Sequence, residues 1–378
     1  MRKHIIIAGA PRSGKSTIAS LIAKKYGYQH ISMDSIIAGI EKTFPELGIN
    51  SDADIDVIEN TKFISEKISK FIQSMIDSGE YDEQDYGMVI DVCELLPCDY
   101  VKNINPNYCE IYYFGTSSLT GFERFEELKK YDTDKDYTYY LDDTLNKKKC
   151  DDIVRLSKYN EEECKKYGFL YFETSGDREN LFKWFINNIE NIYPIENIKT
   201  PLDILIYLNY NIVYGWLDIN DNKHISSMKD FRRLYRTSTL DEILKYKMGV
   251  CAEQVLLIKM LLDKLNIESK MFCTRIYEDE SFNDLDSNEH MHCFILYYMN
   301  DKVYQIEHPN FFEVGIKEFN SEDEAIEKIN EYYVNMSGGY PRPVTQYLEL
   351  PPHVSFKELN IYMNNLEEHK INNNALNI

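Results

Sequence analysis

The chain has 378 residues, 43% hydrophobic and 28% charged, and its 42 Lys+Arg against 63 Asp+Glu leave a net charge of −21. That length predicts two or three domains with ample core, and 30 Tyr with 18 Phe exclude wholesale disorder. A negative field spread over both halves repels phosphodiester backbones and anionic lipid, so no nucleic-acid and no membrane partner is expected, and any bound phosphate must be gripped by local geometry.

The eight cysteines (93, 98, 109, 150, 164, 251, 273 and 293) form no Cys-x-x-Cys pair, and no Cys/His spacing resembles a zinc site. The apolar stretch after Met1-Arg2-Lys3 is cut by Pro11 and Arg12, well short of a signal or transmembrane segment. A cytoplasmic protein with reduced thiols is the expectation.

Residues 4–8 read as a buried strand ending in glycine, and 16–26 as a helix carried by Ile18, Leu21 and Ile22. Between 54 and 78, Ile64, Ile68, Phe71, Ile72 and Met75 recur at three and four, which predicts an amphipathic helix stopped by Gly79. Residues 88–92, 111–114 and 170–173 are further strand candidates. Strands alternating with helices predict an α/β domain, a parallel sheet with helices on both faces. The charge-dense stretch 121–166 reads as a solvated helical insertion or lid. After a helix at 181–189, Pro194 and Pro201 bracket a boundary, which divides the chain into 1–195 and 200–378. There is no internal repeat, and the Asn-rich end, 372–378, is expected to fray.

Gly9-Ala10-Pro11-Arg12-Ser13-Gly14-Lys15-Ser16, followed by Thr17, matches the phosphate-loop pattern G-x-x-x-x-G-K-[ST]. The glycines let backbone N–H groups turn toward phosphate oxygens, the following helix adds its positive end, Lys15 reaches the outer phosphates and Ser16 ligates Mg²⁺. ATP with Mg²⁺ is the implied cofactor. On this motif and its flanking strand and helix, residues 1–195 resemble the adenylate-kinase-like group of small P-loop kinases, which implies a small-molecule phosphoryl acceptor. The resemblance puts Asp34 beside the acceptor, with a helix N-cap as the alternative reading. It also makes Asp91, in Met-Val-Ile-Asp-Val, a Walker-B acid for Mg²⁺, though acids at strand ends are common. Arg124 or Arg155 in the charged stretch would reach the transferring phosphoryl group, or lie on the surface. Thr174 to Arg178 stand where related kinases contact the base; the lack of an Asn-Lys-x-Asp motif speaks against a GTPase.

Downstream, Gly249-Val250-Cys251-Ala252-Glu253-Gln254 precedes a helix patterned by Val255, Ile258, Leu261, Leu262 and Leu265, which places Cys251 at a helix start where the dipole favours thiolate. His290-Met291-His292 leads into a second strand pattern, and Glu307-His308-Pro309 closes a third at 303–306. This order, over about 200–315, resembles the transglutaminase-like branch of papain-type enzymes and implies an α+β domain. It implies Cys251 as nucleophile, His292 as base with His290 as rival, and Glu307 as orienting carboxylate. The family position usually held by Asp is occupied by His308, so the third member is open between the two. A peptide or amide is the implied substrate. A metal pair at His290 and His292, a partial echo of arylamine N-acetyltransferases at Cys251-Ala252-Glu253-Gln254, and a non-catalytic reading in which nucleotide binding gates the second domain are the alternatives.

Overall fold

The structure, a computed structural model, describes residues 4–51, 53–79, 87–134, 136–278 and 289–366; the end at 372–378 lies outside them. The chain divides into two compact units, Met1–Ile192 and Tyr193–Ile378.

The first unit runs β1 (His4–Gly9), α1 (Lys15–Tyr26), β2 (Gln29–Ser32), α2 (Met33–Thr43), α3 (Val57–Asp77), β3 (Met88–Val92), α4 (Pro97–Asn103), β4 (Cys109–Gly115), α5 (Gly121–Tyr131), α6 (Asp143–Tyr167), β5 (Tyr171–Glu173) and α7 (Arg178–Asn188). Its five strands pair in parallel in the order β2-β3-β1-β4-β5. The central strand is Ile5-Ile6-Ile7 with no exposed side chain, the signature of a strand covered on both faces. On α3 the buried apolar positions are Ile64, Ile68, Ile72 and Ile76, while Phe71 lies on the exposed flank. That helix starts later than its pattern, because Asp56 accepts from the backbone N–H groups of Ile58 and Glu59 and caps it. Strand β2 has no apolar run to betray it; it is held by pairing with β3. The charged stretch folds as α5, opened by a Thr120–Glu123 capping box, and α6, capped by Asp142.

The second unit runs α8 (Pro201–Asn211), β6 (Val213–Asp218), β7 (Lys223–Ile225), α9 (Phe231–Leu234), β8 (Tyr235–Arg236), α10 (Leu240–Tyr246), β9 (Met248–Gly249), α11 (Cys251–Lys264), β10 (Ser269–Tyr277), β11 (Glu289–Met299), β12 (Lys302–Glu307), β13 (Gly315–Phe319), α12 (Glu322–Ser337), β14 (Tyr340–Pro341), β15 (Thr345–Tyr347) and α13 (Phe356–Asn364). Its main sheet has the order β13-β12-β11-β10-β14, with β15 also on β10, and is antiparallel throughout. One face carries Phe272, Phe294, Leu296 and Val303 against Ile326 and Ile329 of α12. The pleat sends Met271, Cys273, Cys293 and Ile295 to the opposite face, the side on which α11 packs. β12 pairs with β11 only as far as Leu296, so this edge of β11 around Met291 to Cys293 is open for the first turn of α11. No helix among the described residues is long and apolar enough to cross a membrane.

Candidate active sites

The phosphate loop is strung between β1 and α1. Gly9 has φ 128°, and a Cβ there would lie 2.0 Å from the Phe114 carbonyl oxygen; Gly14 has φ 89°, and a Cβ there would lie 2.5 Å from the Phe182 ring. Only glycine meets both demands. Lys15 is buried and its Nζ donates to the carbonyl of Ala10 at 2.7 Å, so the lysine folds back over the loop. Ala10 and Ser13 are buried, Pro11 and Arg12 partly so, and Ser16 and Thr17 open the exposed first turn of α1. Arg12 adopts φ 62° and pairs with both Asp132 and Asp136. Arg124 is fully buried beside the same loop, donating from Nη2 to the Arg12 carbonyl at 2.7 Å and pairing with Glu127. Arg155 is not brought to the loop: it is exposed on α6 and pairs with Asp56.

Asp91 pairs in register with Ile7 at the end of β3, next to the loop. Its Oδ2 lies 3.3 Å from His30 Nε2, and its Oδ1 is buried without a hydrogen-bond partner. The Ser13 hydroxyl is likewise buried and unpartnered. A hydroxyl at Ser16 with an orphaned carboxylate oxygen at Asp91 is a hard-oxygen donor set that fits Mg²⁺. Asp34 does not cap α2, which starts at Met33 behind Ser32; it stands in the first turn and faces a cavity of about 520 Å³ that Pro11, Cys93 and Glu94 also line. Burial, reinforced by the charge of Asp34, pushes Glu94 up to about 7. Sequence reasoning passed over Glu94; its signal was an acid three residues past the strand-end Asp91.

In the second unit Cys251 is the first residue of α11 and Val250 precedes it with φ −80° and ψ 180°. The helix start is pinned by Glu253, whose carboxylate accepts from the Val250 and Ser238 N–H groups, each at 2.8 Å. Burial pushes Glu253 up to about 7. Cys251 is 8% exposed, its Sγ 4.0 Å from the Met291 carbonyl. His292 Nε2 donates to Glu307 Oε2 at 3.2 Å, and the ring lies stacked on Tyr333 at a centroid distance of 4.1 Å. That leaves Nδ1 as the ring nitrogen for the thiol. Glu307 is fixed in turn by Gln305 Nε2 at 2.8 Å and the Asn310 N–H at 2.9 Å.

The electrostatics agree with an ion pair. The Cys251 thiol is held well below its ordinary range, first by a hydrogen bond from Cys293 and then, against burial, by the hydrogen bond and charge of His292. For His292 burial opposes the imidazolium, but the Glu307 carboxylate and the Cys251 sulfur outweigh it and push the group up to about 10. His308, one residue after Glu307, does a different job: its Nδ1 donates to Gln254 Oε1 at 2.6 Å, and Gln254 Nε2 donates to the Gly249 carbonyl, tying the β12 end to the start of α11. His290 shares the strand face of His292 but is exposed, 3.9 Å from Glu278. Cys251, His290 and His292 open on a cavity of about 410 Å³ walled by aromatic side chains, Phe231, Tyr235, Phe311 and Phe356 among them. Tyr333 and Cys293 were missed from sequence, the first because it comes from a helix 41 residues away with no motif of its own.

A family model described as a transglutaminase-like domain, DUF553, matches residues 179–314. An adenylate kinase of Mycoplasmopsis pulmonis (strain UAB CTIP) is 30% identical over 87 residues, 23% of this chain and 39% of that protein. An adenylate kinase of Parabacteroides distasonis is 37% identical over 76 residues, 20% of this chain and 38% of that one. The chain thus spans less than two-fifths of the length of the curated relatives it matches. Among solved structures, a sugar kinase from Janibacter sp. HTCC2649 is similar over 50% of this chain and 94% of its own, at 11% identity and a TM-score of 0.31.

Proposed function

Since the chain joins an N-terminal P-loop kinase-like domain to a transglutaminase-like domain, we propose that it is a two-site enzyme. The first site transfers the γ-phosphoryl group of ATP to a small molecule, and the second performs thiol-based chemistry on an amide or acyl carbonyl. For the first, the carrying observation is the loop Gly9 to Ser16 closed over by Lys15, with Asp34 facing a cavity beside it. Backbone N–H groups and the start of α1 would cradle the phosphates, and Lys15 would leave the Ala10 carbonyl for an outer phosphate oxygen. Mg²⁺ held at Ser16 and Asp91 would neutralise charge on the phosphates. Arg124, anchored under Arg12, sets the position of that loop residue rather than reaching substrate itself.

For the second site, the carrying observation is the chain Cys251, His292, Glu307. The Cys251 thiolate attacks the carbonyl carbon, His292 passes its Nδ1 proton to the departing amine, and a thioester remains on Cys251. Water or an amine then attacks the thioester, His292 takes the proton of that nucleophile, and the acyl group leaves. Glu307 keeps the ring in the tautomer with Nε2–H and balances its charge.

Both halves are testable with generic probes. Transfer of ³²P from γ-labelled ATP to any acceptor in a metabolite extract should vanish in Lys15→Ala; equal labelling by the variant removes the first reading. A burst of p-nitrophenol from p-nitrophenyl acetate, with the acetyl group found on Cys251 by mass spectrometry, should disappear in Cys251→Ala and in His292→Ala. A burst untouched by His292→Ala removes the second.

A further inference from the structure

The cavity beside the phosphate loop says what kind of acceptor it takes. Pro11 of the loop forms part of its wall, α2 and α3 supply two sides, and α6 closes another. Asp34, Cys93 and Glu94 converge there, one donor atom of each within 4.8 Å of the others. Glu94 Oε2 is shut off from solvent with no hydrogen-bond partner, and Lys15 is close enough to act on both Glu94 and Cys93. Two carboxyls, one of them orphaned, therefore stand where an acceptor group would meet the phosphoryl group held by Lys15. The thiol in this set argues against Mg²⁺, which takes oxygen ligands.

The charge of the lining is the discriminating feature. Asp34, Glu41 and Glu94 face the cavity against Lys42 and Lys149, while a fourth lining carboxylate, Asp152, is paired with Arg155. No arginine among the described residues lines it. Arg12 pairs with Asp132 and Asp136, Arg124 with Glu127, Arg155 with Asp56 and, at 3.5 Å, with the lining residue Asp152, and Arg178 Nε donates to the Thr174 carbonyl. Recognition of a phosphate or carboxylate on the acceptor calls for a guanidinium fork or an excess of cations. Here an anion would meet carboxylates in excess.

We propose that the phosphoryl acceptor is a neutral or cationic polyhydroxyl compound whose reactive hydroxyl is received by Asp34 and a neighbouring hydroxyl by Glu94, and not a nucleotide, a sugar acid or another anion. This rests on the phosphoryl-transfer reading above. The acceptor O–H bond breaks and its proton passes to the Asp34 carboxylate. The freed oxygen bonds to the γ-phosphorus, and ADP departs with the electron pair of the broken P–O bond. The Glu94 carboxyl, when protonated, donates a hydrogen bond to a neighbouring hydroxyl and places the acceptor.

The test uses the full chain with Mg²⁺ and γ-labelled ATP. Four acceptor probes are compared: myo-inositol (neutral), 2-deoxystreptamine (cationic), D-gluconate and AMP (anionic). Transfer to myo-inositol or 2-deoxystreptamine should exceed transfer to gluconate and AMP at least tenfold. Asp34 is exposed on α2, so Asp34→Arg should fold, and it should tighten AMP binding at least tenfold by calorimetry. Equal or faster transfer to AMP or gluconate, no transfer to the neutral and cationic probes by protein that binds ATP, or AMP binding unmoved by Asp34→Arg each overturns the acceptor class while leaving the kinase reading intact. A wild-type chain that fails to bind ATP removes that reading and the acceptor class together.

Discussion

Glu307→Gln isolates what the carboxylate contributes to the thiol site. Glutamine keeps the shape and an oxygen that accepts from His292 Nε2; it removes the charge and the acceptor that Oε1 offers the Asn310 N–H. At the observed 3.2 Å, Coulomb's law with an effective dielectric constant of about 20 gives roughly 5 kcal/mol, or about three to four pKa units. That is the size of effect needed to hold a buried imidazole up at about 10. Without it burial wins, His292 drops below the ordinary histidine range, and Cys251 loses the cation that holds it as thiolate. The assay is the rate of Cys251 alkylation by iodoacetamide between pH 5 and 9. The wild type should already be near its plateau at pH 6. The variant should be slower there by at least about tenfold, after allowing that a thiolate of higher pKa is intrinsically more nucleophilic, and should recover as pH rises. An unmoved inflexion, with the rate merely scaled at every pH, refutes the ion pair.

Three further outcomes follow from particular contacts. Cys293→Ala removes the hydrogen bond that most strongly lowers Cys251; at roughly 1.5–3 kcal/mol for a bond to a charged group, the alkylation inflexion should rise by about one to two units, and no movement contradicts that contact. Gly14→Ala must place a methyl group 2.5 Å from the Phe182 ring at φ 89°, so the urea midpoint should fall by the equivalent of about 1–3 kcal/mol, and an unchanged midpoint refutes the tight loop. Glu253, pushed up to about 7 by burial, binds a proton in the fold at pH values where the unfolded chain has released it. It therefore contributes stability that is present below about pH 4.5 and lost as pH rises through 7. Thermal melts of Glu253→Gln should show a shallower fall in Tm from pH 5 to 7 than the wild type; parallel curves contradict the shift.

Much of the architecture was legible because it is local. The loop pattern fixes a strand before it and a helix after it, and the apolar runs at Ile5 to Ile7 and Met88 to Val92 mark strands covered on both faces. Strand β2 was not, since Gln29-His30-Ile31-Ser32 has no apolar run and is a strand only through its pairing with β3. In the second unit Cys251 and His292 stood out by order and spacing, whereas the choice between Glu307 and His308 needed geometry. Neighbouring strand-end residues send their side chains apart, and here Glu307 turns to His292 while His308 turns to Gln254. Tyr333 carries no motif and enters its site through packing of a distant helix, whereas Glu94 lies just past β3 with only its closeness to Asp91 as a signal. The even negative charge means that any phosphate must be gripped locally, and the proposed grip is Lys15 and the loop backbone, with the buried oxygen of Asp91 toward Mg²⁺.

Calorimetric titration of ATP with Mg²⁺ into the wild type and Lys15→Ala tests this account most directly. Loss of one charge-assisted contact of up to about 3 kcal/mol predicts ATP binding weakened by about a hundredfold in the variant. Equal affinity in the two proteins would contradict it.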